Sequence, residues 1–258
     1  MNILDKIIAH KKGEVAQRKE ERTIGDLEKE RFFNRQTLPL TKSLIAERKT
    51  GIIAEYKRKS PSKGIINDHD SVEAVTRAYF GYGASGISIL TDQEFFGGSL
   101  DDLVAARDNS IPLLRKDFTI DEYQVIEAKA FGADVILLIA ACLLPQEVKT
   151  LSATAKSLGL EVLLELHDES ELEHICDTVD MVGVNNRNLK NFEVNLEHSV
   201  RLAQKIDDKF IKIAESGIND VANINYLKQY GFKGFLIGEH FMKQPSPMMA
   251  FKEFTYQL

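Results

Sequence analysis

The 258-residue chain contains no tryptophan and only two cysteines. Cys142 and Cys176 stand alone, outside any C-x-x-C pair, which argues against both a disulfide framework and a zinc site; each reads as a small apolar filler. The histidines, His10, His69, His167, His174, His198 and His240, show no H-x-x-x-H or other ligand spacing, so no structural or catalytic metal is expected. Basic charge is in deficit: a net charge of −6 argues against a general nucleic-acid binder. The longest apolar run, 135–144, is too short to cross a bilayer. The N-terminus, M-N-I-L-D-K-I-I-A-H-K-K, lacks the charged-then-apolar order and the small-residue cleavage site of a signal peptide. These absences lead to the expectation of a soluble cytoplasmic protein without nucleic-acid or membrane partners.

A hydrophobic content of 43% is enough for a large core. Residues 1–50 read as helical. Ile3, Leu4, Ile7 and Ile8 recur at helical spacing ahead of the charged segment 10–22, and a second helix is predicted over 40–48, after Pro39. The apolar face suggests a lid packed on the remainder of the chain. From Gly51 the pattern becomes regular, with apolar strands predicted at 52–54, 86–90, 111–114, 135–139, 161–164, 180–184, 210–214 and 234–237. Amphipathic helices are predicted between them at 72–81, 100–107, 122–131, 145–158, 169–176, 196–205 and 221–230, with a last one at 247–254. Eight strand–helix units with short connections imply a parallel sheet covered by helices, and eight is the number that closes a barrel. An open doubly wound sheet would place a glycine-rich phosphate loop after its first strand, whereas this one is followed by K-R-K-S-P-S-K-G. No Pro-, Gly- or Ser-rich linker divides the chain. The expected architecture is α/β: a (β/α)8 TIM barrel over 51–258 as a single catalytic domain, with a helical extension over 1–50.

Barrel enzymes carry their chemistry on the C-terminal ends of the strands. The first strand runs into E-Y-K-R-K-S, and alternation puts Glu55 and Lys57 on one face with Tyr56 on the other. The third ends R-K-D-F, with Lys116 on the parity of Leu114. The fifth, V-L-L-E-L, sets Glu165 on the parity of Leu163; His167 shares it but reads as a loop residue. The sixth ends G-V-N-N-R-N-L, with Gly183, Asn185 and Arg187 on one face. The seventh and eighth end A-E-S-G-I and L-I-G-E-H, small turns of the kind that let backbone N–H groups approach a phosphate. Each ending alone has an innocent reading as a surface pair, turn or cap. Together, at equivalent positions, they indicate function.

The assembled motifs, I-A-E-Y-K-R-K-S-P-S, S-I-L-T-D with E-F-F-G-G-S, L-L-R-K-D-F, A-D-V-I-L-L-I, L-L-E-L-H, G-V-N-N-R-N-L, K-I-A-E-S-G-I and F-L-I-G-E-H-F-M, resemble indole-3-glycerol-phosphate synthase over nearly the whole chain. The resemblance implies ring closure of 1-(2-carboxyphenylamino)-1-deoxyribulose 5-phosphate with loss of CO2 and water, a carboxy-lyase reaction of tryptophan biosynthesis that uses no cofactor. It further implies Lys116 as general acid toward the ribulose carbonyl, and Glu165 and Glu55 as candidate bases. Lys57 and Ser60 would meet the anthranilate carboxylate or a nearby anion, with Lys57 as a second acid in dehydration. Asn185 and Arg187 would orient the substrate. Ser216, Gly217, Gly238 and Glu239 would hold the phosphate, with Glu215 beside them. Phe96, Phe118, Leu137, Ile139 and Leu189 would wall the aromatic ring. Two departures stand out: Glu239 occupies a position where many relatives carry a small hydroxyl residue, so only its backbone N–H is expected to serve; and without tryptophan, any aromatic contact from the extension must come from another residue. A monomer or weak homo-oligomer is expected, with other tryptophan-pathway enzymes as candidate partners. The rival readings are a sugar-phosphate isomerase of the phosphoribosylanthranilate isomerase type and a non-catalytic phosphate-ligand-binding barrel.

Overall fold

A computed structural model describes residues 3–47, 49–187 and 193–258. Eight parallel strands close into a barrel in which each pairs with its sequence neighbours and the last pairs with the first. They are β1 Ile52–Tyr56, β2 Gly86–Leu90, β3 Leu113–Lys116, β4 Val135–Ile139, β5 Glu161–Leu166, β6 Met181–Asn185, β7 Ile211–Glu215 and β8 Phe232–Ile237. Their outward residues, such as Ile52, Ile87, Ile136, Val162 and Phe235, join the helices in one large core. Their inward residues, Ile53, Leu114, Leu137, Leu163, Met181, Ile213 and Leu236, fill the barrel itself. Burial on both faces explains why the strands read as unbroken apolar runs.

Most strands extend beyond their predicted ends at the C-terminal side. β1, β3, β5, β6 and β7 run on through Glu55, Lys116, Glu165, Asn185 and Glu215. The apolar pattern stops one or two residues before the ladder does, because the last rungs carry polar side chains into the barrel mouth.

The helices are α1 Ile3–Glu21, α2 Ile24–Leu27, α3 Leu40–Leu44, α4 Val72–Gly81, α5 Gln93–Phe96, α6 Leu100–Ala106, α7 Glu122–Ala130, α8 Pro145–Ser157, α9 Leu196–Ala203, α10 Val221–Lys228, α11 Glu239–Met242 and α12 Pro247–Thr255. Two expectations are corrected. The helix predicted over 40–48 ends at Leu44, because only Leu40 and Leu44 find the barrel floor while Ile45 is exposed. The helix predicted over 169–176 is a 3-10 turn, Glu169–His174. Glu171 folds its carboxylate back onto the His167 N–H at 2.6 Å, and the His174 ring bonds the carbonyls of Glu171 and Leu143. These local bonds tighten the segment. A short hairpin, Lys59–Ser60 against Gly64–Ile65, adds to the predicted elements.

The N-terminal segment is tied along the barrel. At one end α3 closes the floor, with Glu161 accepting from the Leu40 and Thr41 amides. Arg35 and the Leu38 amide both bind Asp134. At the other end α1 lies over the mouth. Lys11, 1% exposed, reaches Asp92 and Asp117 at 2.9 Å each and Glu14 at 2.8 Å. Burial works against the Lys11 charge, but the carboxylates outweigh it and raise its pKa. No helix among the described residues is long and apolar enough to cross a membrane.

Candidate active site

The C-terminal mouth holds a cavity of about 180 Å³, far more than a trapped water needs. Its wall includes Glu55, Lys57 and Ser60 after β1, Phe96 on α5, Lys116 and Phe118 at β3, Leu137 and Ile139 on β4, Glu165, Asn185 and Arg187, and Glu215 and Ser216. Ile3, Leu4 and Ile7 of α1 complete it. The extension therefore contributes aliphatic side chains where a tryptophan is lacking. Phe96 and Phe118 face each other with ring centroids 6.1 Å apart. Leu189 lies outside the described residues.

Lys116 sits at the centre. Its Nζ donates to Glu165 Oε2 at 2.8 Å and to Glu215 Oε2 at 3.1 Å. The other Glu165 oxygen accepts from Asn185 Nδ2 at 3.1 Å and lies 3.2 Å from His167 Nε2. Burial disfavours every charge here, yet the partners decide the outcome. Lys116 is held charged by Glu165, Glu215 and Glu55, its pKa raised despite burial. Glu165 is equally disfavoured by burial, but Lys116 and His167 keep it well below the usual carboxylate range. His167 is raised, because Glu165 outweighs its desolvation. Glu215 goes the other way: burial and the neighbouring Glu165 charge push it up to about 8 despite Lys116. Two carboxylates on one lysine are thus separated by environment, one ionised and one protonated near neutrality.

Glycine makes this arrangement possible at two points. A Cβ at Gly183 would overlap the Glu215 carboxylate, so β6 leaves room for it by having no side chain there. A Cβ at Gly238 would come within 2.6 Å of Glu55 Oε1. Glu55 is itself 4% exposed and pairs with Lys57 Nζ at 2.8 Å, with Ser88 donating to its other oxygen at 3.4 Å. Ser60 is buried, and among the described residues its Oγ has no hydrogen-bond partner.

The turns after β7 and β8 border this cluster. Ser216 lines the cavity with φ of 67°, followed by Gly217 at 71°. Gly217 packs against Val194, and Gly238 caps α11. Glu239 does more than lend its backbone: Oε2 pairs with Arg187 Nη2 at 3.1 Å, and that bond keeps its pKa below the usual value against partial burial. Arg187 also anchors its own amide on Asn185 Oδ1 at 3.0 Å.

Three residues have larger parts in the site than their sequence pattern suggests. His167, which reads as a loop residue, is buried beside Glu165; its shared parity is the available signal. Glu215, expected beside the phosphate turn, points at Lys116; its parity with Ile213 on β7 carries that information. Asp117, for which a surface pair with Lys116 is the innocent reading, instead bonds Lys11, Arg115 and Thr91.

Comparisons with known proteins bear on the family and the fold. The family profile described as Indole-3-glycerol phosphate synthase matches residues 4–254. An Indole-3-glycerol phosphate synthase of Bacteroides thetaiotaomicron is 45% identical, covering 98% of this chain and 97% of the relative. One from Acinetobacter baylyi is 42% identical, covering 97% and 94%. Among solved structures, the tryptophan synthase A-subunit of Pyrococcus furiosus superposes with a TM-score of 0.61 at 15% identity, covering 81% of this chain and 98% of that one; it shares the barrel fold. The isomerase and non-catalytic readings find no support in these relatives. By its sequence along nearly its whole length, the chain belongs to the indole-3-glycerol phosphate synthase family.

Proposed function

We propose that this carboxy-lyase closes the indole ring through an acid–base relay centred on Lys116. The reaction converts 1-(2-carboxyphenylamino)-1-deoxyribulose 5-phosphate to indole-3-glycerol phosphate, CO2 and water. In the proposal the anthranilate ring lies between Phe96, Phe118 and the aliphatic wall of α1. The ring carbon bearing the carboxylate attacks the ribulose carbonyl carbon while Lys116 gives its proton to the carbonyl oxygen. Loss of CO2 then restores the aromatic ring. A carbonyl oxygen becoming an alkoxide needs a cation in a water-poor site, where its stabilisation is largest.

The observation that carries this reading is the placement of Lys116 between two carboxylates in opposite states. When Lys116 turns to the substrate, Asn185 and His167 still hold Glu165, which remains ionised and ready as a base. Protonated Glu215, in contact with Lys116 Nζ, is a source from which the lysine regains its proton. Dehydration needs an acid and a base at separate positions; in this reading Lys57, after β1, is the second acid, with Glu165 or Glu55 as the base. Arg187 and Ser60 face the cavity as anchors for the substrate carboxylate, and the Ser216–Gly217 and Gly238–Glu239 turns are the phosphate site in this reading. A phosphorylated, water-soluble substrate favours a cytoplasmic enzyme, acting as a monomer or weak oligomer. The test is turnover of the substrate followed by indole fluorescence in wild type and in Lys116→Ala. A folded variant with near-normal turnover would remove Lys116 from this role.

A further inference from the structure

β6 ends at Asn185, and a second asparagine, Asn186, follows it directly. Asn185 turns into the barrel and holds Glu165. Asn186 is 2% exposed and has no part in the chemistry described above. Its Nδ2 donates to the Ser216 carbonyl at 2.7 Å, its N–H to the Glu215 carbonyl at 2.8 Å, and its own carbonyl accepts from the Asn195 N–H at 2.9 Å. One residue thus fastens the loop after β7 to the end of β6 and to the start of α9.

Ser216 is the non-glycine residue with a left-handed backbone among those described, and Gly217 follows it into the same region. That conformation is uncommon and costly for a residue with a Cβ, so a bond that holds it matters. The peptide joining them is trans, so its C=O and N–H point in opposite directions. Fixing the Ser216 carbonyl onto Asn186 therefore aims the Gly217 N–H away from Asn186, and Ser216 itself lines the cavity. Among the described residues no hydrogen bond uses that N–H. We infer that Asn186 is a positioning residue for phosphate recognition, holding the Ser216–Gly217 peptide in the orientation that presents its N–H to the substrate phosphate. This rests on the placement of the phosphate at the β7 and β8 turns proposed above.

The experiment compares wild type, Asn186→Ala, Asn186→Leu and Gly217→Asp, all checked for folding by circular dichroism. Asn186→Leu keeps the buried volume without the donor and serves where the alanine variant fails to fold. Measured for each are kcat, KM and the competitive inhibition constants of two fragments, inorganic phosphate and 2-aminobenzoate. Loss of the orienting bond is expected to raise KM and the phosphate constant together, each by about tenfold, with kcat altered by less than about threefold. The 2-aminobenzoate constant, reporting the ring pocket, stays within about twofold of wild type. An equal loss for both fragments would show a general collapse of the pocket and overturn the inference. Unchanged phosphate binding in the Asn186 variants, with weakened binding in Gly217→Asp, would overturn it while leaving the phosphate placement intact. Unchanged phosphate binding in Gly217→Asp as well would remove the placement and the inference with it.

Discussion

Glu215→Gln tests the charge distribution around Lys116 through stability alone, without any substrate. In the native protein burial and Glu165 push the Glu215 carboxyl up to about 8, against an ordinary value of 4.5. The folded state therefore keeps a proton that the unfolded chain has released. The consequence has a definite sign. This group's contribution to stability is fully present below pH 4.5 and is lost as pH rises toward 8. At roughly 1.4 kcal/mol per unit, the span corresponds to on the order of 3–5 kcal/mol, less whatever the Lys116 contact recovers. Glutamine is neutral at every pH and fills the same space beside Gly183, so the variant escapes that loss. Wild type and variant are expected to have similar stability near pH 4.5 and to diverge above it, with the variant more stable by several kcal/mol at pH 8–9. For a chain of this length that is on the order of 10 °C in Tm. Urea and thermal unfolding between pH 4.5 and 9 would read it, and groups common to both proteins cancel in the difference. A variant less stable than wild type, by a margin that widens with pH, would refute the reasoning, because it would mean that native Glu215 is an ionised partner of Lys116.

Two further substitutions probe how the site is built. Gly183→Ala places a methyl group in the space of the Glu215 carboxylate and near Leu163 Cδ1; overpacking of about 1–3 kcal/mol and a reduced kcat are expected, checked by unfolding and initial rates, and a neutral result would mean that Glu215 moves aside freely. Lys11→Met strips a buried cation from Asp92 and Asp117, whose side chains are fully buried. Loss of about 3–5 kcal/mol is expected, with a higher KM because Ile3, Leu4 and Ile7 line the cavity from the same helix. Unchanged Tm and KM would show that α1 is not fastened by this lysine.

Much of the site is legible in strand parity. A strand's side chains alternate, so Glu55 with Ile53, Lys116 with Leu114, and Glu165 with Leu163 follow directly from the barrel's inward face. The same rule places Asn185 inward with Met181. The residues whose contacts are not legible are of two kinds. His167 and Glu215 share the inward parity, but His167 follows the end of β5 and Glu215 abuts a small turn, so a loop or phosphate-turn reading hides their contacts with Glu165 and Lys116. Lys11 and Asn186 carry no local signal. A lysine in a charged helix looks solvated until Asp92 and Asp117, far along the chain, are folded against it. An asparagine just past a strand looks like a turn residue until the Ser216 carbonyl meets it. The early end of α3 has the same origin, since its length is set by how many leucines the barrel floor accepts.

The most direct measurement is a fluorescence assay of purified protein with 1-(2-carboxyphenylamino)-1-deoxyribulose 5-phosphate, run beside Lys116→Ala. Lys116 lines the cavity, where water can take the place of its ammonium group beside Glu165 and Glu215, and circular dichroism checks that the variant is folded. The account predicts formation of fluorescent indole product by wild type and a kcat lower by about 10²–10⁴ in the variant. A folded variant that turns over within a few-fold of wild type would contradict it.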